Sequence, residues 1–370
     1  MCFKCVDQRT VDMPQSPPEV RSYGALAVFQ SLYADTVVVA IDLEAVDHRS
    51  GRYAKGLENW EKTSEVGVSY IDLRDISLAF DSTSSTEKLS MISKSIVSQH
   101  KIINRWRNFT EETCDASHHK SHGIPHTAKP YHCMVAKSQI ETYDQALSDL
   151  DYLLRDLSTK DLTAKEREAG MCRTVIVLYW DARMEKNWFH DMDFSVGWYG
   201  ATEWDFQKFK PFRSRFERAR TGAGKAFESL GALGEGAGGM AVLHNAANDT
   251  FTQVVAFLRF MVMTEAEWKE WRGRSDFYPG DLDPVDLSWI SDETWKANQE
   301  LRPILQPGEK PEEVEDPEDP KPVIVHHSAM AEIEASATFA PVGCAMESRS
   351  CTWADALRKP AEKITNPTPL

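Results

Sequence analysis

The chain has 370 residues and a formal net charge of −15, which excludes a general electrostatic coat for nucleic acid; such a substrate would need a local basic patch or bound cations. A composition of 42% hydrophobic and 27% charged residues is that of an ordinary globular protein, sufficient for one large domain with tails or two small ones. No stretch approaches the ~18 apolar residues of a membrane helix.

The opening Met1-Cys-Phe-Lys-Cys5 runs into polar residues and Pro14, Pro17 and Pro18, unlike a signal peptide, so residues 1–22 are expected to be a flexible leader. Seven scattered cysteines suit a reducing compartment, and a cytoplasmic or nuclear protein is expected. Val37-Val-Val-Ala-Ile41 reads as a buried strand, and Glu65-Val-Gly-Val-Ser-Tyr-Ile71 as a second, with Asp72-Leu-Arg-Asp75 turning out of it. A third strand is expected around His100-Lys-Ile-Ile103, which makes an antiparallel meander. A polar loop over 108–130 precedes helical spacing from Gln139 to Leu157. Thr174-Val-Ile-Val-Leu-Tyr179 is the next strand, and residues 244–262 the next long helix.

Residues 264–295 are helical but irregular, with Trp268, Trp271, Trp289 and Trp295, and are expected to pack on the core as a C-terminal extension. From Pro303 to Pro322 proline and acids dominate, the signature of a disordered linker. The expected organisation is therefore a leader over 1–22, a mixed-sheet α/β domain over 23–300, and an unfolded tail over 301–370. There is no internal repeat.

Asp42 and Glu44 end the first apolar strand two residues apart, so both carboxylates face one side. They read either as a cation site or as two solvated acids beyond the strand end. In His244-Asn-Ala-Ala-Asn-Asp249, a histidine and an aspartate open an apolar helix; Asp249 suits a metal ligand or a helix cap. Gln207-Lys-Phe-Lys-Pro-Phe-Arg-Ser-Arg-Phe-Glu-Arg-Ala-Arg220 interleaves Lys208, Lys210, Arg213, Arg215 and Arg218 with phenylalanines. It reads as phosphate contacts with stacking platforms, or as an amphipathic helix with core phenylalanines. Cys114, His118, His119, His122 and His126 crowd one loop without the spacing of a zinc finger, and Cys2-x-x-Cys5 has no second pair nearby.

Taken together, Asp42-x-Glu44, Glu65-Val-Gly67 and His244-Asn-Ala-Ala-Asn-Asp249 resemble the DEDDh 3′–5′ exonuclease superfamily, most nearly its fungal Gfd-like branch. The resemblance spans roughly residues 35–265 and implies a ribonuclease H-like fold flanked by helices. It also implies two Mg²⁺ or Mn²⁺ ions on Asp42, Glu44 and Asp249, with His244 as general base and RNA or single-stranded DNA as substrate. The family's middle motif departs here: Tyr179-Trp180 stand at its Gly-His, and Glu185 or Asp181 at its fourth carboxylate. A catalytic group displaced by ~1 Å can cost roughly 10²-fold in rate. Two functions follow from the resemblance, a two-metal exonuclease and a degenerate fold used as a nucleic-acid-binding or adaptor module.

Overall fold

Val37 to Ile41 are buried on both sides, which is what a central strand flanked by helices requires. They lie in β1 (Val37–Ala45). In the computed structural model the described residues are 19–45, 58, 60–76, 84–109, 129–169, 171–215, 222–233, 244–273 and 282–304, all within one unit spanning 1–324. The residues 1–18 of the leader with Cys2 and Cys5, the loop with Cys114, His118, His119, His122 and His126, Arg218, and the tail beyond 304 lie outside them, as does the side chain of Arg215.

β2 (Thr63–Asp72) runs antiparallel to β1, and β3 (Val97–Ile103) antiparallel to β2, the expected meander. β4 (Ser138–Glu141) is parallel to β3. On the other side of β1 lie β5 (Val175–Tyr179) and then β6 (Thr202–Asp205), both parallel to it. The order β4-β3-β2-β1-β5-β6 leaves β2 as the one strand running against the rest, a mixed sheet with a ribonuclease H-like layout. The helical spacing expected from Gln139 is corrected by β4: the helix starts only at Tyr143, where Thr142 caps its first turn.

The helices are α1 (Tyr23–Leu32), α2 (Ser85–Ser93), α3 (Tyr143–Thr159), α4 (Ala164–Glu168), α5 (Arg183–Asp191), α6 (Lys210–Arg215), α7 (Ala223–Ser229), α8 (Ala246–Val262), α9 (Glu265–Gly273) and α10 (Asp292–Glu300). The two sheet faces are covered differently. Val37, Val39, Ile41 and Leu43 meet Leu147, Leu150 and Leu154 of α3 and Trp188 and Phe189 of α5. Val38 and Ala40 face the other way, into a cluster with Val254, Phe257 and Phe260 of α8 and Phe29 of α1. No helix among the described residues is long and apolar enough to cross a membrane.

The C-terminal extension packs on the α8 side, with Trp268 and Trp271 in the core. Arg259 of α8 is wholly buried and fastens it. Its guanidinium donates to the carbonyls of Leu230 (2.9 Å) and Asp283 (2.6 Å) and to Thr86 Oγ1 (3.1 Å), and it lies 3.7 Å from Glu267. Arg259→Ala takes the donor away from these acceptors and the cation away from Glu267, and is expected to lower stability by about 3–5 kcal/mol, read by denaturant titration. A loss under 1 kcal/mol would mean that the extension is held by its tryptophans alone.

Candidate metal centre

Asp42 and Glu44 project from the side of β1 that carries Val38 and Ala40, so they face α8. Across the β1–β2 ladder Asp42 lies opposite Gly67, and Glu44 opposite Glu65. Gly67 is required there: a Cβ would stand 2.1 Å from the Ala246 carbonyl carbon and 2.4 Å from the Ala247 nitrogen. Only a residue without a side chain lets the first turn of α8 lie on β2. Asn245 caps that turn by accepting from the Asn248 N–H at 3.2 Å.

This close approach delivers Asp249 to the end of β1. Ligand oxygens of Asp42, Glu44 and Asp249 lie within 4.8 Å of one another, and among the described residues no other group of three His, Cys, Asp or Glu does so. His244 has φ 66, in the left-handed region. Its backbone N–H donates to Asp249 Oδ2 at 3.1 Å, and its Nδ1 is 4.0 Å from Glu44 Oε1, with the ring 38% exposed at the rim.

The electrostatics disfavour three ionised acids side by side unless a proton or a cation joins them. Burial, then repulsion from Asp249 and from its other acidic neighbours, raises the Asp42 carboxyl well above its usual range, and the same causes raise Glu44. Asp249 is pushed up to about 7 by burial and by Glu65, opposed by the His244 N–H and the Lys129 ammonium. Buried oxygens of Asp249 (Oδ1), Glu65 (Oε1) and Glu185 (Oε2) have no hydrogen-bond partner. Clustered carboxylates with orphaned oxygens suit a hard, oxygen-seeking divalent cation.

The two candidates for a fourth carboxylate are placed differently. Asp181 sits on an exposed turn with φ 60, bound to its neighbour Arg183 at 2.8 and 2.5 Å. Glu185, on the first turn of α5, is 2% exposed and lies beside the backbone of Leu43 of β1. Burial raises it to about 8, and its charge acts on both Asp42 and Glu44, although it lies outside the 4.8 Å group. Tyr179, aligned with the Gly of the Gly-His motif that the resemblance implies, is buried in the α3-side core; Trp180, aligned with its His, is partly buried, its ring packed on Phe206, Phe212 and Phe227.

Of the two readings of the basic segment, core phenylalanines hold for Phe209 and Phe212, which are buried on the α8 side and cannot meet a base, while Phe216 lies outside the described residues. Lys208 pairs with Asp205 at 2.7 Å, at the end of β6 that lies beside the ends of β1 and β5. Lys210 is half-buried and Arg213 exposed. Glu65, His100, Asn245 and Lys129 border the centre; Glu65 and Asn245 lie inside the Glu-Val-Gly and His-Asn-Ala-Ala-Asn-Asp motifs with no site role implied for them, and His100 and Lys129 lie in no motif.

A scan against protein-family models and a search of curated proteins both found no match to this sequence.

Proposed function

We propose that the protein is a DEDDh-type, two-metal 3′–5′ exonuclease acting on RNA or single-stranded DNA. The observation that carries this reading is the convergence of Asp42, Glu44 and Asp249 on one point, where β1 meets the N-terminus of α8. That point lies beside the switch between β1 and β5, where chain order reverses and an α/β sheet opens a crevice for ligands.

Asp42, Glu44 and Asp249 would hold the cations. Bound there, two Mg²⁺ or Mn²⁺ ions would stabilise the attacking and leaving oxygens of an in-line phosphodiester cleavage. His244, exposed at the rim and close to Glu44, takes the proton of the attacking water. Lys129, whose charge reaches Asp249, offers an ammonium to the phosphate oxygens. Glu185 supplies the fourth carboxylate from α5, while Lys208, Lys210 and Arg213, with Arg215 and Arg218, track the strand.

End-labelled single-stranded RNA and DNA, incubated with the full chain and Mg²⁺, Mn²⁺ or chelator, test the reading. Slow, Mn²⁺-favoured trimming from the 3′ end is expected, because Mg²⁺ demands near-ideal octahedral geometry. Glu185→Ala is expected to reduce the rate at least ~10²-fold, whereas Asp181→Asn, already neutralised by Arg183, should leave it within about twofold. The reverse pattern would put the fourth ligand on Asp181.

A second reading, a non-catalytic nucleic-acid-binding or adaptor module, is favoured by one observation: Tyr179 is buried in the core and the Trp180 ring packs on Phe206, Phe212 and Phe227. Protein inert with both metals that still binds single strands would select it.

A further inference from the structure

Beneath the carboxylate cluster lies a second polar group, fully enclosed. Glu65 of β2 and Asn245 are 0% exposed and His100 of β3 is 1% exposed. A single oxygen, Glu65 Oε2, accepts from three N–H groups: His100 Nε2 at 3.0 Å, Asn245 Nδ2 at 3.0 Å and the Ala246 backbone at 3.4 Å. His100 Nδ1 meets Ser138 Oγ of β4 at 2.7 Å. Asn245 also donates to the Lys129 carbonyl at 3.0 Å, and the Lys129 N–H donates to the His244 carbonyl at 2.8 Å. With its oxygen on the Asn248 N–H, both ends of the Asn245 side-chain amide are used.

Such a group is a poor way merely to hold a helix on a sheet. Burying a carboxylate and an imidazole costs several kcal/mol before their bonds return it, whereas Phe251, Val254, Val255, Phe257 and Leu258 of α8 enter the core by apolar contact without that cost. What the polar group adds is direction. It converges on the backbone of residues 244–249, the one segment that must put a ring at the rim and a carboxylate on β1 while His244 holds a positive φ. Apolar packing does not specify a backbone orientation; three convergent N–H donors on one fixed oxygen do.

We propose that Glu65, His100 and Asn245 form a positioning network that sets the backbone from His244 to Asp249, and with it both the rim histidine and the third carboxylate. Its purpose rests on the metal-centre reading; its geometry does not. None of the three touches substrate: they act through His244 and Asp249.

Asn245→Ser separates this role from ordinary capping, because serine is an equally good N-cap but lacks the two amide hydrogens that reach Glu65 and Lys129. Two readouts are taken on the full chain: amide hydrogen exchange of the metal-free protein, and Mn²⁺ affinity by electron paramagnetic resonance. Protection of the His244, Ala246 and Asp249 amides, taken relative to the β1–β2 ladder, is expected to fall at least tenfold. Mn²⁺ affinity is expected to fall about tenfold. An unchanged relative protection overturns the proposal, and so does a fall in protection with full Mn²⁺ affinity. If the wild-type chain binds no Mn²⁺, the metal-centre reading fails, and the exchange ratio alone still decides whether the network orders this segment. Should Asn245→Ser not fold, Glu65→Gln, which keeps the shape, is scored on the same readouts.

Discussion

Gly67→Ala is expected to abolish Mn²⁺ binding and to lower stability by about 3 kcal/mol or more. The added Cβ would meet the carbonyl carbon and oxygen of Ala246 at 2.1 and 2.2 Å, where real contacts are well over 3 Å. Those neighbours are backbone, so no side chain can rotate away; the first turn of α8 must lift off β2. Glu65, two residues back on the same face, holds that turn, and Asp42, directly across the ladder, needs Asp249 from it. One methyl group therefore acts on core packing, on the polar network and on the carboxylate cluster together. Thermal melting and a Mn²⁺ titration check it. Wild-type values in both would mean that the helix does not approach the strand so closely.

The second large effect is a fall in stability of the metal-free protein as pH rises. Asp249 is held up to about 7 and Glu185 up to about 8, and Asp42 and Glu44 are also raised, in every case first by burial. In the unfolded chain these carboxyls ionise near ~4. Between about 4 and 8 the folded state thus binds more protons than the unfolded one, so stability is fullest below ~4 and is lost as pH climbs to about 8. In chelator, the melting temperature is expected to drop on the order of 10 °C from pH 5 to pH 8.5. Mn²⁺ should restore it, and by more at pH 8.5 than at pH 5, because at low pH the cation must displace protons. A melting temperature that is flat or rising over this window in chelator would sink the idea. Glu185→Gln combined with Asp249→Asn should flatten the fall.

What the sequence made legible follows from where each signal is local. β1, β2 and β5 are runs of β-branched residues long enough to be read directly, and the spacing of Asp42 and Glu44 carries their shared face. β4 is four residues of Ser-Gln-Ile-Glu at a sheet edge, where neither face needs to be apolar, so it merges with the helical pattern that follows. α2 is rich in serine and weakly amphipathic, and only its capping box marks it. The phenylalanines of the basic segment could be sorted into core or surface only once the aromatic side chains around them, from Trp180 to Trp271, were in place. The choice between Asp181 and Glu185 is of the same kind. Four positions apart, they are told apart by a left-handed turn and by the edge of β1, neither of which is written near them. Glu65 and His100 share a ladder face that period-two reading could suggest, but their partner Asn245 comes from the far end of the domain.

The two faces of the sheet also differ in when they can be closed during synthesis. α3 is translated before β5 and β6, so one side of β1 has its cover early. α8 leaves the ribosome only after every strand has been made. Until then Val38, Ala40, Ile71, Ile176 and Leu178 have only shorter helices, α1 and α2 among them, on their side, and the half-covered sheet presents a sticky surface to other chains. The same late segment brings Asp249, so a nascent or truncated chain that stops short of α8 is at once aggregation-prone and unable to assemble the cation site.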